Sequence, residues 1–486
     1  MRSSISILAL GGMLAALGCE KTEQANVGGT TSVGSGGAGQ GGTGQGGTTG
    51  VGGQGGSASV VVYPSPGDLS AVEHLTASVD YQVSVNGQPS FVYETDNYWE
   101  HPARMLPDRA AFTYFDFEGG PVEVEIDVGF EVQSVTIRPR SDGVTFTQVG
   151  NKITFTLSEP KLLAVEINDR SRPLFLFAEK PEAPDPTAQH YFPKGVHHIG
   201  AKYPIAAGER VYLEGGAVVE GTLTLGGDDI KIGGRGILTA GQWTWSEWLA
   251  DKTLSLLTDT SAGTHDSHTY SGVVLLNSPG WFANGYGKSR TISHLKVMGW
   301  VGNSDGPHLN GNGLFEHSFV FNNDDSLISN LGNNNVFRDN VVWKGPWGRP
   351  MVSLSKNNQD GLTFEDIDVI YNESGPTQSG AMAIIEAPGA TKKNYVWRDI
   401  RLEGPTSSRM FYIDANQTTV SNLLVENVTA EDFNAAEGSI AASNGGSVDG
   451  VTFTCIKLDG TVPTSLAEAH MIQSGAVTNV SFMPCP

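Results

Sequence analysis

Residues 302–329 read GNSDGPHLNGNGLFEHSFVFNNDDSLIS and carry three aspartates: Asp305, then the pair Asp324 and Asp325 beginning 19 residues further on. Each stands among Asn, Ser and Gly, just before a short apolar run. Carboxylates brought within a few ångströms repel, so at least one should hold a proton at neutral pH. A protonated acid beside ionised ones suits hydrolysis of a glycosidic bond, where one group protonates the leaving oxygen and another activates water. Two other readings use the same residues. Asp and Asn side chains often cap local backbone amides in turns, and Asp339, Asp366 and Asp399 read that way. A calcium site could combine the acids with Asn303 or Asn323. Three stacked acids favour catalysis, because like charges placed together cost stability unless function or a cation rewards them.

A repeat must position these acids. The units ISHLKV (from Ile292), FEHSFV (Phe315), FRDNVV (Phe337), FEDIDV (Phe364), WRDIRL (Trp397), VENVTA (Val425) and FTCIKL (Phe453) start 23, 22, 27, 33, 28 and 28 residues apart. Helical spacing is absent, the leucine-rich pattern is missing, and a period in the twenties built on short strands marks a stacked solenoid. The expected fold is a right-handed parallel β-helix over residues 187–486. Residues one coil apart then lie at strand spacing, about 4.7–4.9 Å. Aligning Asp305 to Leu309 with Asp324 to Ile328 sets Asp305 directly beside Asp324. Neighbours on a regular strand point to opposite faces, so Asp324 and Asp325 share a cleft only if the strand begins or kinks at Asn322-Asn323.

Upstream, period-two alternation dominates. VEVEIDV (Val122 to Val128), SVTIRP, ITFTL and LLAVEI are separated by turn residues, and the pattern predicts an antiparallel β-sandwich over 60–180. EKPEAPDP (Glu179 to Pro186) reads as a linker. Residues 20–59, almost all Gly, Thr, Ser, Gln and Ala from Val27 on, predict a flexible tether spanning about 30 Å. At the N-terminus, Arg2, an apolar stretch from Ile5 to Leu17 and the ending Ala16-Leu17-Gly18-Cys19 predict a secretory signal over 1–19. That ending resembles a bacterial lipoprotein box, which makes Cys19 a lipidation site. A plain secretion signal is the alternative. The expected location is outside the cytoplasm, lipid-anchored to an outer membrane or cell surface, or else periplasmic or secreted. Cys455 and Cys485 pair as a disulfide or remain two buried thiols. A net charge of −22 argues against nucleic acid or anionic lipid as partner. Membrane contact is then expected only through the anchor.

On these residues the chain resembles the polygalacturonase and dextranase clan of glycoside hydrolases, through Asn303-Ser-Asp-Gly306 followed by Asn323-Asp-Asp325. Within it, FPKGVHHIG (Phe192 to Gly200), VYLEGGAVVEGTL, GRGILTAGQW and VVWKGPWGRP (Val341 to Pro350) resemble the dextranase/isopullulanase family, glycoside hydrolase family 49. The resemblance implies an endo-acting inverting hydrolase of a neutral α-glucan, dextran- or pullulan-like, that needs no cofactor or metal. Asp324 would be the general acid, while Asp305 and Asp325 orient and deprotonate water. Lys344, Trp347, Asn303 and His308 are candidate substrate contacts, with Trp343 turned inward. Polygalacturonases carry a Gly-His-Gly and an Arg-Ile-Lys that are not found here, and without such cations a uronate chain is hard to place beside carboxylates. A pectin hydrolase, a calcium-dependent lyase and a non-catalytic surface glycan binder remain the alternatives.

Overall fold

The computed structural model describes residues 58–99, 101, 107–259, 265–354, 357–374, 380–385, 388–404, 409–433 and 436–486. The leader with Cys19, and the tether up to residue 57, lie outside them. The chain is almost all β. Gly55–Pro486 forms one compact unit, in which a two-sheet sandwich packs against a parallel β-helix.

Period-two alternation builds the sandwich. In Val122–Val128 the side chains of Val122, Val124, Ile126 and Val128 turn inward while the acids between them turn out. Ile153, Phe155 and Leu157 do the same on the antiparallel partner Lys152–Leu157. Burying each such side chain stabilises by about 1.5–3 kcal/mol. The sandwich departs from the antiparallel expectation in one place: Arg109–Glu118 and Asp169–Glu179 run parallel. Both are buried along most of their length. One face of their sheet fills the sandwich core. The other presents Tyr93, Phe112, Tyr114, Phe175 and Phe177 to Met298, Trp300, Phe319, Phe321 and Trp343 of the solenoid.

The solenoid follows the register read from the repeat. Ile292 pairs with Phe315, Phe315 with Phe337, Phe337 with Phe364, Phe364 with Trp397, Trp397 with Val425 and Val425 with Phe453. These residues stack inside the coil, and the Phe337 and Phe364 rings lie 4.8 Å apart at 13°. The third position of each unit has a physical role beyond capping. His294, His317, Asp339, Asp366, Asp399, Asn427 and Cys455 all have φ between 48° and 56°. This left-handed corner turns the chain from one face of the coil to the next, and Asn, Asp and His tolerate it better than most residues. At the last corner Cys455 is bonded to Cys485, which ties the end of the final coil to its neighbour.

Candidate active site

The three aspartates stand at corners between strands, which answers the problem of neighbours pointing apart. Strand Phe319–Asn322 ends before Asp324, and Leu327–Ser329 begins after Asp325. Asp305 holds the equivalent place before the short strand His308–Leu309. Buried Asn322 builds the corner: its Nδ2 donates to the carbonyls of Ser304 (2.7 Å), Asp324 (3.0 Å) and Asp325 (3.0 Å), and its Oδ1 accepts from Ser326 Oγ at 2.6 Å. Gly348, at φ +65°, closes the next corner, where a Cβ would stand 2.4 Å from both Asp324 Oδ1 and the Asp325 nitrogen.

One expected pairing is corrected. His308 stands opposite Ile328, and Gly306 N donates to the Asp325 carbonyl. The offset between coils is therefore 20 residues, and Asp305 faces Asp325 rather than Asp324. The cause is the irregular corner, which absorbs one residue more than an alignment from the strand ends assumed.

The three acids nonetheless act on one another. Burial, followed by the charge of Asp325, pushes the Asp305 carboxyl well above the ordinary range, against the pull of Lys344 and Arg349. Asp324 is raised by burial and then by Asp305 and Asp325. Asp324 is the one of the three that is not fully buried. Its Oδ2 accepts from the Asn303 backbone at 3.0 Å, and its Oδ1 from the Asp325 backbone at 2.9 Å. Arg349 Nη1 lies 3.5 Å from both oxygens of Asp325 and supplies a counter-charge. Asp305 Oδ1 is buried with no hydrogen-bond partner among the described residues.

The remaining candidates take different places. Lys344 is fully buried, and its Nζ donates to the carbonyls of Asn323 (3.0 Å) and Gly345 (2.7 Å). It cannot reach a sugar, which corrects the expectation of a substrate contact, because strand register places it opposite Asn322 and turned into the coil. Burial lowers it to about 8, while Asp324 and Asp325 pull the other way. Asn303, at φ +58°, accepts from Trp245 Nε1 at 3.2 Å; together with its backbone bond to Asp324 this makes it a positioning residue. His308 Nε2 lies 3.7 Å from Asp305 Oδ2. Burial and the Arg290 guanidinium push it down to about 4, so it is neutral at pH 7. Trp347 is partly exposed at the rim, whereas Trp343 is buried against the sandwich rather than inside the coil. Trp300 is buried, and its Nε1 bonds Thr95 at 3.2 Å.

Several residues at the site escaped the sequence reading. Trp99 of the sandwich meets Trp347 edge-on at 5.2 Å, and His101 does so at 5.3 Å. Trp245 lies 6.5 Å from Trp99. Gly302 makes this possible, since a Cβ there would come within 2.8 Å of the Trp99 ring. Some 200 residues separate Trp99 from Asn303, and no sequence signal joins them. Arg349 was within reach: it occupies the place before its strand that Asp305 and Asp325 hold before theirs.

A cleft of about 730 Å³ lies elsewhere, between the His294, His317, Asp339 and Asp366 corners and the sandwich, and none of the three aspartates lines it. Its charges pair internally, Arg401 with Asp366 and Asp368 and Lys161 with Asp142. Among the described residues no group of three His, Cys, Asp or Glu is arranged to hold a metal ion.

No protein-family profile matches the chain. Exopolygalacturonase A and probable exopolygalacturonase A of Aspergillus niger are each 26% identical to it over 246 residues, or 43% of this chain. The match spans 56% of the length of those curated relatives. Among solved structures, Dex49A from Penicillium minioluteum superposes with a TM-score of 0.66 at 16% identity, covering 87% of this chain and 96% of that one. The likeness to the dextranase/isopullulanase family thus holds at the level of fold, and the chain has the architecture of the right-handed parallel β-helix glycoside hydrolases.

Proposed function

We propose that the chain is an exported glycoside hydrolase that cuts a neutral α-glucan of the dextran or pullulan kind from within, with inversion. One observation carries this reading: three carboxyls from adjacent coils share one corner, and burial together with mutual repulsion keeps protons on Asp324 and Asp305. Asp324, the most accessible, gives its proton to the glycosidic oxygen as the bond to the anomeric carbon breaks. Water, oriented by Asp305, forms the new bond to that carbon and passes a proton to Asp325. Lys344, from inside the coil, and Arg349, beside Asp325, keep the remaining negative charge tolerable. Trp347 and Trp245, both partly exposed, offer apolar ring surface to sugar faces, with Trp99 packed behind Trp347. The fold shared with Dex49A, a family 49 dextranase, supports the glucan.

The sequence likeness to exopolygalacturonases favours a second reading, in which the same acids cut a uronate chain. Reducing-end release from dextran, pullulan and polygalacturonate by the purified full chain, with EDTA present, decides between them. Release from polygalacturonate alone would replace the glucan assignment. Activity that vanishes with EDTA, accompanied by unsaturated ends absorbing in the ultraviolet, would indicate a lyase. An inactive chain that still binds glycan would be a surface binder. The leader and tether motivate lipid attachment at Cys19, which mass spectrometry of the membrane fraction would test.

A further inference from the structure

The wall of the site near Asp305 holds a cation that no acid pairs. Lys252 opens the 3-10 turn Lys252–Leu254 that follows helix Trp245–Ala250. Its ammonium stands 3.2 Å from the centroid of the Trp248 ring and 5.9 Å from that of Trp281. A ring face attracts an ammonium but leaves the N–H bonds directed away from it unused. Among the described residues the Lys252 ammonium makes no ion pair and donates no hydrogen bond.

This platform is held firmly. Trp248 is 1% exposed, and its Nε1 donates to Ser255 Oγ at 2.9 Å. Gly280 lies so close that a Cβ there would come within 2.1 Å of the ring. Trp281 packs edge-on against Trp248 at 5.2 Å and lies 6.3 Å from the His308 ring, beside Asp305. Lys252 is close enough for the charge of Asp305 to act on it, while burial pushes its ammonium down. Asp305 tends to hold its own proton and so makes a poor counter-ion. Lys252 is only partly buried, so the N–H groups turned away from the ring stay accessible, and a ligand oxygen can take the place of the water there.

We propose that Lys252 is a substrate-recognition residue whose ammonium donates hydrogen bonds to an oxygen of the sugar seated beside Asp305, with Trp281 flanking that ring. The proposal rests on the glycoside hydrolase reading above. The acceptor chemistry is a glycan oxygen, either the hydroxyl of a neutral sugar or the carboxylate of a uronic acid.

Calorimetric titration of full-length Asp324→Asn with an isomalto-oligosaccharide and with an oligogalacturonate, alone and combined with Lys252→Met or Lys252→Arg, tests it. Lys252→Met is expected to weaken binding of whichever ligand is recognised by about tenfold or more, and Lys252→Arg to restore most of it. In the active chain Lys252→Met should raise KM with kcat little changed and the thermal midpoint preserved. If that variant loses its fold, Lys252→Gln carries the same comparison. A loss that shrinks as salt rises identifies a carboxylate acceptor, and one insensitive to salt identifies a hydroxyl. Unchanged binding and KM in a chain that still cleaves glycan would overturn the Lys252 proposal alone. A fall in kcat at constant KM would overturn it too. A wild type that neither cleaves nor binds any glycan would remove the hydrolase reading and this proposal with it.

Discussion

Two sets of aspartates stack along this solenoid, and they differ in depth of burial and in the counter-charge around them. Asp339, Asp366 and Asp399 sit at left-handed corners where their neighbours satisfy them: Asn427 donates to Asp399, and Arg401 pairs with Asp366. Partial burial raises Asp366, but hydrogen bonds to Arg401 and Asp339 outweigh it and hold this carboxyl low, while Asp339 is raised by its own burial and by that shared bond. Asp305, Asp324 and Asp325 occupy other corners, more deeply buried, with one arginine and one buried lysine for three acids. Stacking of like residues therefore says little by itself. Burial and the supply of counter-charge separate a structural carboxylate from one that keeps a proton.

The sharpest way to break this contrast is to neutralise one member of each set. Asp324→Asn should lower kcat by about a thousandfold, while Asp339→Asn should leave it within twofold. Stability should move as well. Asp324 and Asp305 hold protons in the folded chain at pH values where unfolded carboxyls, near 4, have lost them. The folded state thus binds more protons, and stability falls as pH rises above about 4. Asp324→Asn should consequently melt at or above the wild-type temperature at pH 7, with the gap closing toward pH 4. A lower midpoint at pH 7 would contradict the repulsion.

A second test uses the corner ladder itself. Cys455 takes the place that Asp or Asn holds in earlier coils, and its bond closes a separation of 30 residues. Cys455→Ser should cost about 3 kcal/mol in denaturant unfolding with activity unaffected. Lys344→Met should have a smaller effect on stability, about 1–3 kcal/mol, as two buried carbonyls lose their donor. Its diagnostic effect is on pH: without this cation Asp305 and Asp324 rise further, so the pH profile of kcat/KM should shift upward. The smallest change belongs to Asp339→Asn, expected to alter stability by less than about 0.5 kcal/mol. A larger loss would mean that the corner ladder carries more than a turn.

Much of the fold was legible because its rules are local. The apolar residue opening each repeat paired with its counterpart in the next coil throughout Ile292 to Phe453, since a coil can bury its interior in only one register. The corners were visible as His, Asp and Asn, although their shared backbone conformation, and with it the reason for those residue types, was not. The three candidate aspartates were singled out by setting the loops of successive coils side by side. Their pairing was misjudged by one residue because corner geometry, unlike strand pairing, has no fixed period.

Patterns repeated within a few dozen residues were enough to foresee the solenoid, its register, the sandwich that precedes it and the acids that could do chemistry. That Asp305 faces Asp325, that Lys344 is sealed inside, and that Trp99 of the sandwich meets Trp347 of the solenoid emerged from the folded chain alone. The physical reason is common to all three. Burial and counter-charge depend on contacts between segments far apart in the chain, and these exist only once coils have stacked and the sandwich has packed against them.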